Sequence, residues 1–311
     1  MNENQPKIIN ISESKDITLQ KLIESPEIKS IIELRFFRHS IKENDKTKSD
    51  MDIGLTTEGR SFAKGQAEEN TNLEQSVAFG SPRKRTQETA MFVMAGQEEN
   101  VLGNETFDEL KNKLEEGLEV GSKIGVEKEL DFKENKESEY YKELIATVGE
   151  GRYLKYLVEE SDQRAKELGD NHSATYTRMA QQVSKIIEKY VSILPRWSEL
   201  VTEKPDQYNK VLERFMGTHQ GIGESFLAKI IELTEGEERR NQFVKSLSGK
   251  GFDFVEGFKV YVADQNKQQP KLMIEYKHTD KEDQSNNFEF IRVINYLLLD
   301  EIINGEDVNW F

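Results

Sequence analysis

Residues 31–37 make a β-rich, largely apolar run that stops at Arg38 and His39. An apolar run of that length, bounded by polar residues, reads as a buried strand ending at a loop. Thr56 then suits the N-cap of a helix over the following dozen residues. Residues 76–80 read as a second short strand that feeds into Ser81 and Pro82, a Ser N-cap and Pro N1 opening a helix through about Met94. Residues 211–216 repeat the pattern, leading through Gly217 and Thr218 to His219, a glycine-bearing turn and a helix over 224–233. Strands alternating with helices predict an α/β fold, a three-layer α/β/α sandwich around a mostly parallel sheet.

The remaining segments fill in that plan. Residues 1–29 read as a polar N-terminal leader with at most one short helix, and 123–126 as a strand-like piece. The stretch 140–160 is helical but interrupted by Gly149 and Gly151. Met179, Val183, Ile186, Ile187, Tyr190, Val191 and Leu194 recur at helical spacing, which predicts an amphipathic helix packed on the sheet and ended by Pro195. Residues 252–262 and 271–276 form an expected antiparallel pair, and 288–303 an expected closing helix. One α/β domain over 30–311 results, with 97–122 and 135–210 as a helical insertion or cap.

Charge narrows the partners. The chain has 43 basic and 58 acidic residues, a net charge of −15. Residues 97–171 hold 21 acidic and 11 basic residues, so −10 of that total sits in one stretch, read as a solvated cap. With no Lys/Arg-rich run, nucleic acid and anionic membrane are poor partners, and any phosphate site must be a local concentration of Arg and His. The absence of cysteine excludes disulfides, thiolate chemistry and zinc sites built on Cys. Residues 1–20 lack an apolar signal-like core, and no apolar run reaches 18 residues, so the expectation is a soluble, cytoplasmic protein.

Three strand ends deliver Arg38 with His39, Arg85, and His219, and in open α/β sheets the carboxyl ends of strands are where ligands bind. Such a set suits metal-free, cofactor-free phosphoryl transfer. A neutral imidazole can attack phosphorus in line, while two guanidinium groups and a second imidazole hold the non-bridging oxygens. Arg85, in the first turn of its helix, adds the positive end of a helix dipole. The leaving oxygen needs a proton from a carboxyl kept protonated by burial and by the bound phosphate.

At these residues the chain resembles the histidine phosphatase superfamily, phosphoglycerate mutase-like and of its branch 1 type. Arg38, His39 and Ser40 resemble its Arg-His-Gly signature, and Leu55, Thr56, Gly59 and Ala63 its following helix. Ser81, Pro82, Arg85, Thr89 and Ala90 match its second-arginine motif, and Thr218 and His219 its second-histidine motif. The resemblance implies a phosphohistidine on His39, with Arg38, Arg85 and His219 forming the phosphate pocket and Ser40 and Gln220 beside it. It implies a general acid three residues before an aromatic, which is Glu129 before Phe132, with Asp131 and Glu127 behind it.

The chain departs from the pattern at Ser40, where glycine would let backbone approach phosphate, and at Lys133, where glycine is also expected. Gln220 after His219 disfavours an acid at that position. Residues 41–44 do not reproduce the mutase motif, so a phosphomutase ranks below a phosphatase. A phosphate-binding or regulatory module with weak or no turnover is the alternative from another class. The partner expected is a small phosphorylated molecule or a phosphoprotein. His172 and His278 read as structural or exposed, and Arg83 and Lys84 as solvent-facing.

Overall fold

The computed structural model describes residues 19–68, 72–118, 121–265 and 269–305. Seven strands, β1 (Ile28–Arg38), β2 (Val77–Gly80), β3 (Ile124–Val126), β4 (Val211–Thr218), β5 (Gly257–Gln265), β6 (Lys271–His278) and β7 (Phe288–Ile294), join one sheet of order β3-β2-β4-β1-β5-β6-β7. The pairs β3/β2, β2/β4 and β4/β1 are parallel, whereas β1/β5, β5/β6 and β6/β7 are antiparallel. Five of the seven strands therefore share one direction, and the antiparallel pair expected near 252–276 is β5 with β6.

The helices are α1 (Leu19–Glu24), α2 (Thr57–Gly65), α3 (Lys84–Ala95), α4 (Phe107–Glu115), α5 (Glu139–Gly149), α6 (Tyr153–Glu159), α7 (Ser161–Glu167), α8 (Tyr176–Glu203), α9 (Ile222–Glu235), α10 (Glu237–Ser246) and α11 (Leu297–Asn304). They cover both faces of the sheet. Ile32, Leu34 and Phe36 of β1 point into one core with Val183, Ile187, Phe226 and Ile230 of α8 and α9. Phe37 points into the opposite core with Ala90, Met91 and Met94 of α3, while Ile31 meets Leu22 of α1. Near-continuous burial along β1 is what a strand covered on both sides produces.

The regions assigned to a cap hold α4 and α5 through α8. Of the leader, residues 1–18 lie outside the described residues, and β1 begins at Ile28, earlier than the apolar run alone indicates. Among the described residues no helix is long and apolar enough to cross a membrane.

Two expectations are corrected. Pro195 does not end α8, which runs on to Glu203. A proline inside a helix costs about 3 kcal/mol, but the turn beyond it buries Trp197 and joins Ser198 Oγ to Ser30 Oγ at 2.5 Å. Burying one such large side chain contributes roughly 1.5–3 kcal/mol, enough to offset most of that cost. Residues 288–294 are β7 rather than the start of a closing helix. Phe288, Phe290 and Ile294 alternate inward, and pairing of Tyr276 with Phe290 adds the strand to the sheet edge, so α11 begins only at Leu297.

Candidate active site

Parallel pairing of β1 with β4 sets Arg38 opposite Thr218, and the His39 amide donates to the Thr218 carbonyl at 2.9 Å. The two histidines thus leave the sheet side by side, with ring centroids 5.4 Å apart and planes at 70°. On the other side of β4, pairing of Gly80 with Gly217 brings Ser81 and the start of α3 to the same sheet end. Gly217 is needed for this: a Cβ there would sit 2.2 Å from the Thr86 carbonyl oxygen of α3.

His39 is nearly buried, and its Nδ1 lies 2.7 Å from the Ser40 carbonyl oxygen. A carbonyl only accepts, so Nδ1 carries the hydrogen and Nε2 keeps its lone pair. Burial holds this imidazole well below its usual pKa, and His219, Arg85 and Arg38 push the same way against the Ser40 hydrogen bond. The ring is therefore neutral at neutral pH with a tautomer suited to attack through Nε2.

Around it lie cationic donors. Arg38 is anchored by a 2.5 Å bond from its NH1 nitrogen to the Phe252 carbonyl oxygen. Glu224 accepts from the Phe252 amide at 2.8 Å and stands behind Arg38, and burial pushes its carboxyl up to about 7 against these partners. Arg85 donates to the Asp50 carbonyl at 2.9 Å and to its carboxylate at 3.1 and 3.3 Å. Burial, then Arg83, pushes Arg85 down to about 10, still charged. The Nε atoms of Arg38 and Arg85 are buried with no hydrogen-bond partner among the described residues. Burial holds His219 down to about 4, with Asp131 opposing; its Nε2 is 2.9 Å from Ser81 Oγ and 3.2 Å from Asp131 Oδ1.

Arg38, His39, Arg85, His219 and Gln220 line one cavity of about 430 Å³. The expected set from three strand ends is thus brought together. A convergence of guanidinium and imidazole groups selects an anion, and a tetrahedral oxyanion matches donors arriving from several sides.

Other sequence assignments fare differently. Neither Glu129 nor Asp131 is among the cavity-lining residues, and the two differ in their reach to the lining residue His219. Glu129 lies in a 3-10 turn, Lys128–Leu130, whose Leu130 is fully buried and whose Leu130 carbonyl accepts from Thr218 Oγ1 at 2.9 Å. With three residues per turn, Glu129 is rotated about 120° from that inward face. It faces Glu127, whose hydrogen bond, together with burial, raises its pKa. Glu127 itself pairs with Lys189 at 2.7 Å. Asp131, past the turn in extended backbone, is the carboxyl that reaches His219. Burial pushes Asp131 up, but hydrogen bonds from His219 and Arg83 outweigh it and hold the carboxyl below the usual range.

Ser40 is fully buried and turned away from the cavity: its Oγ donates to the Gly59 carbonyl at 2.8 Å and its amide to Thr89 Oγ1 at 3.0 Å. Its contribution at the site is the backbone carbonyl that orients His39. The helix of residues 84–95 opens at Arg83, not at Ser81, whose Oγ instead accepts from the Arg83 amide at 3.1 Å and meets His219. Arg83 is not solvent-facing. It is buried, ion-paired with Asp131 at 2.8 Å and with Asp50, and stacked 4.4 Å over Phe132. Lys84 is half-buried over Phe107. His172 is exposed, and His278 pairs with Glu256 at 2.7 Å. Sequence reasoning missed Ser81 and Asp50 as neighbours of the site. Ser81 carried a signal, since it follows a strand end as Arg38 and His219 do, whereas Asp50 lies in a loop without one.

Residues 34–150 match the family model of the histidine phosphatase superfamily (branch 1). His219 lies beyond that range and joins the site through the β1/β4 register. No curated protein matches the chain. Among solved structures, a mycobacterial glucosyl-3-phosphoglycerate phosphatase is similar at 13% identity, covering 75% of this chain and 91% of that one with a TM-score of 0.41. A phosphoglycerate mutase from Bacillus anthracis str. Sterne is similar at 12% identity, covering 89% and 99% with a TM-score of 0.42.

Proposed function

We propose that this chain, which over residues 34–150 belongs to the histidine phosphatase superfamily (branch 1), is a phosphatase that hydrolyses a phosphomonoester through a phosphohistidine on His39, without a metal. One observation carries the reading. Two buried guanidinium Nε groups without hydrogen-bond partners among the described residues, on Arg38 and Arg85, share a cavity with an imidazole whose tautomer leaves the Nε2 lone pair available.

In the reaction, Nε2 of His39 forms a bond to phosphorus as the ester oxygen departs. Arg38, Arg85 and His219 hold the charge on the three non-bridging oxygens. A bound phosphate dianion raises the proton affinity of His219 and Asp131 together. That pair supplies the proton to the leaving oxygen and takes one back from the water that cleaves the N–P bond. Ser81 Oγ positions the His219 ring, and the Ser40 carbonyl positions that of His39.

The test is turnover of phosphomonoesters at pH 5 to 7 by wild type, His39→Ala, Arg38→Ala and Arg85→Ala. His39→Ala should abolish turnover, and each arginine variant should lower kcat/KM by about 10²–10³-fold, the usual cost of a lost oxyanion donor. A phosphate-binding module without turnover is the second reading, favoured by the pairing of Asp131 with Arg83 in the resting site. Binding of phosphate or vanadate that needs Arg38 and Arg85, with no hydrolysis of any ester, selects it.

A further inference from the structure

The cavity holds more than a phosphate site. Beside the cationic groups the cavity is lined by Phe132, Leu144, Ile145, Val148, Met179 and Phe254, with Phe254 under the Arg38 guanidinium at 4.8 Å and Phe132 edge-on to His219, and among the described residues no lining residue is an aspartate or glutamate. The composition is not inherited from the neighbourhood. Leu144, Ile145 and Val148 belong to α5, which lies in the most acidic stretch of the chain. Tyr141, Leu144, Ile145 and Val148 recur at i, i+3, i+4 and i+7, so one stripe of α5 faces the cavity.

Three of these side chains reach the mouth in exposed positions: Ile145 at 47%, Val148 at 49% and Phe254 at 39%. Single exposed apolar residues are ordinary, but a group of them lining one cavity mouth marks a place where apolar surface is to be covered. Polar groups that would hold a polyol are scarce on this wall. Gln220 Nε2 is engaged by the Lys250 carbonyl, and the Tyr141 hydroxyl donates to Glu134 at 2.7 Å. Sugar hydroxyls seated against these apolar side chains would lose water without gaining partners, the other polar residues of the lining outside the phosphate site being Lys42, Lys133 and Tyr153.

We propose that the physiological substrate is the phosphomonoester of a bulky apolar or aromatic alcohol, its phosphate on Arg38, His39, Arg85 and His219 and its organic part against the α5 stripe, Phe132, Met179 and Phe254. This rests on the cavity being the phosphate site, and it refines the phosphatase reading by naming the leaving-group class. Lys42 and Lys133, also lining the cavity, supply the positive potential that draws an anion past an acidic surface.

The test separates this claim from turnover by using non-hydrolysable ligands. Calorimetry with methyl-, propyl-, butyl- and hexylphosphonate should show affinity rising about three- to fourfold per methylene, the gain expected for burying a CH₂. A glycerol-like dihydroxypropyl phosphonate should bind more weakly than propylphosphonate. Ile145→Ser and Val148→Ser, both at exposed positions, should flatten the slope. Equal affinity for methyl- and hexylphosphonate, or tighter binding of the dihydroxy ligand, overturns the proposal whether or not any ester is hydrolysed. A steep slope without hydrolysis of any ester refutes the phosphatase reading and keeps only the ligand class, bulky apolar phosphomonoesters bound by a module without turnover. If no phosphonate binds, the phosphate site itself is refuted and this proposal with it.

Discussion

Asp131 Oδ1 lies 3.2 Å from His219 Nε2 and 2.8 Å from the Nε of Arg83, whose ring partner Phe132 also stands edge-on to His219 at 5.0 Å. One carboxylate therefore links a buried imidazole to a buried guanidinium at the edge of the cavity. In the resting site it is charged. In the proposed reaction its proton affinity rises when a phosphate dianion arrives beside it, which would couple proton delivery to substrate binding.

If Asp131 takes part in proton delivery, Asp131→Asn should lower kcat/KM, which reports phosphoryl transfer to His39, about 10²–10⁴-fold on alkyl phosphates, the usual worth of general acid catalysis. The loss should be much smaller on p-nitrophenyl phosphate, whose leaving group needs no proton. Glu129→Gln should leave both rates unchanged. Steady-state kinetics on the two substrate classes decides, and the reverse pattern, with Glu129 essential and Asp131 dispensable, would sink the assignment.

Asp50 holds Arg85 through its carbonyl and its carboxylate, and it is 40% exposed at the side chain. An anion entering the cavity competes with that carboxylate for the same guanidinium. Asp50→Asn should therefore tighten phosphate or vanadate binding by up to about fivefold, the worth of an exposed ion pair. Weakened binding in a calorimetric titration would show that Asp50 orients Arg85 rather than competing for it.

Buried neutral histidines predict a pH signature in stability. An unfolded histidine takes up a proton near pH 6.5, whereas His219 in the folded protein resists until about pH 4. The unfolded state thus binds more protons over that window, so stability falls as pH drops from about 6.5 to about 4. The share of His219 is about 3 kcal/mol at most. Glu224 acts oppositely: pushed up to about 7 from an ordinary 4.5, it is protonated in the folded protein first, so its contribution is lost as pH rises through 7. Denaturant titrations of wild type and His219→Asn should converge as pH falls through the histidine window. A constant difference between them would contradict a neutral buried His219.

How much of this was legible in the sequence follows the range of the forces involved. The strand ends at Arg38, Gly80 and Thr218 show in local apolar runs, because a strand buried on both faces leaves an apolar record. The convergence of His39, Arg85 and His219 on one cavity was legible for the same reason, since they follow those ends in the chain. Long-range packing was not: Trp197 and Ser198 carry α8 through Pro195, and pairing with β6 makes a strand of residues 288–294. Side-chain direction was also hidden. Whether Glu129 or Asp131 faces His219 depends on a single 3-10 turn, and Ser40 does not obstruct the cavity because its hydroxyl turns back onto the Gly59 carbonyl.

Covalent capture on His39 is the most direct test of the chemistry. Rapid acid-free quenching of enzyme with a radiolabelled phosphomonoester should give a phosphoprotein stable in alkali and lost in acid, its label on the peptide containing His39 and absent from His39→Ala. Wild type that hydrolyses ester without ever carrying label, or label retained equally by His39→Ala, would contradict a phosphohistidine at this position.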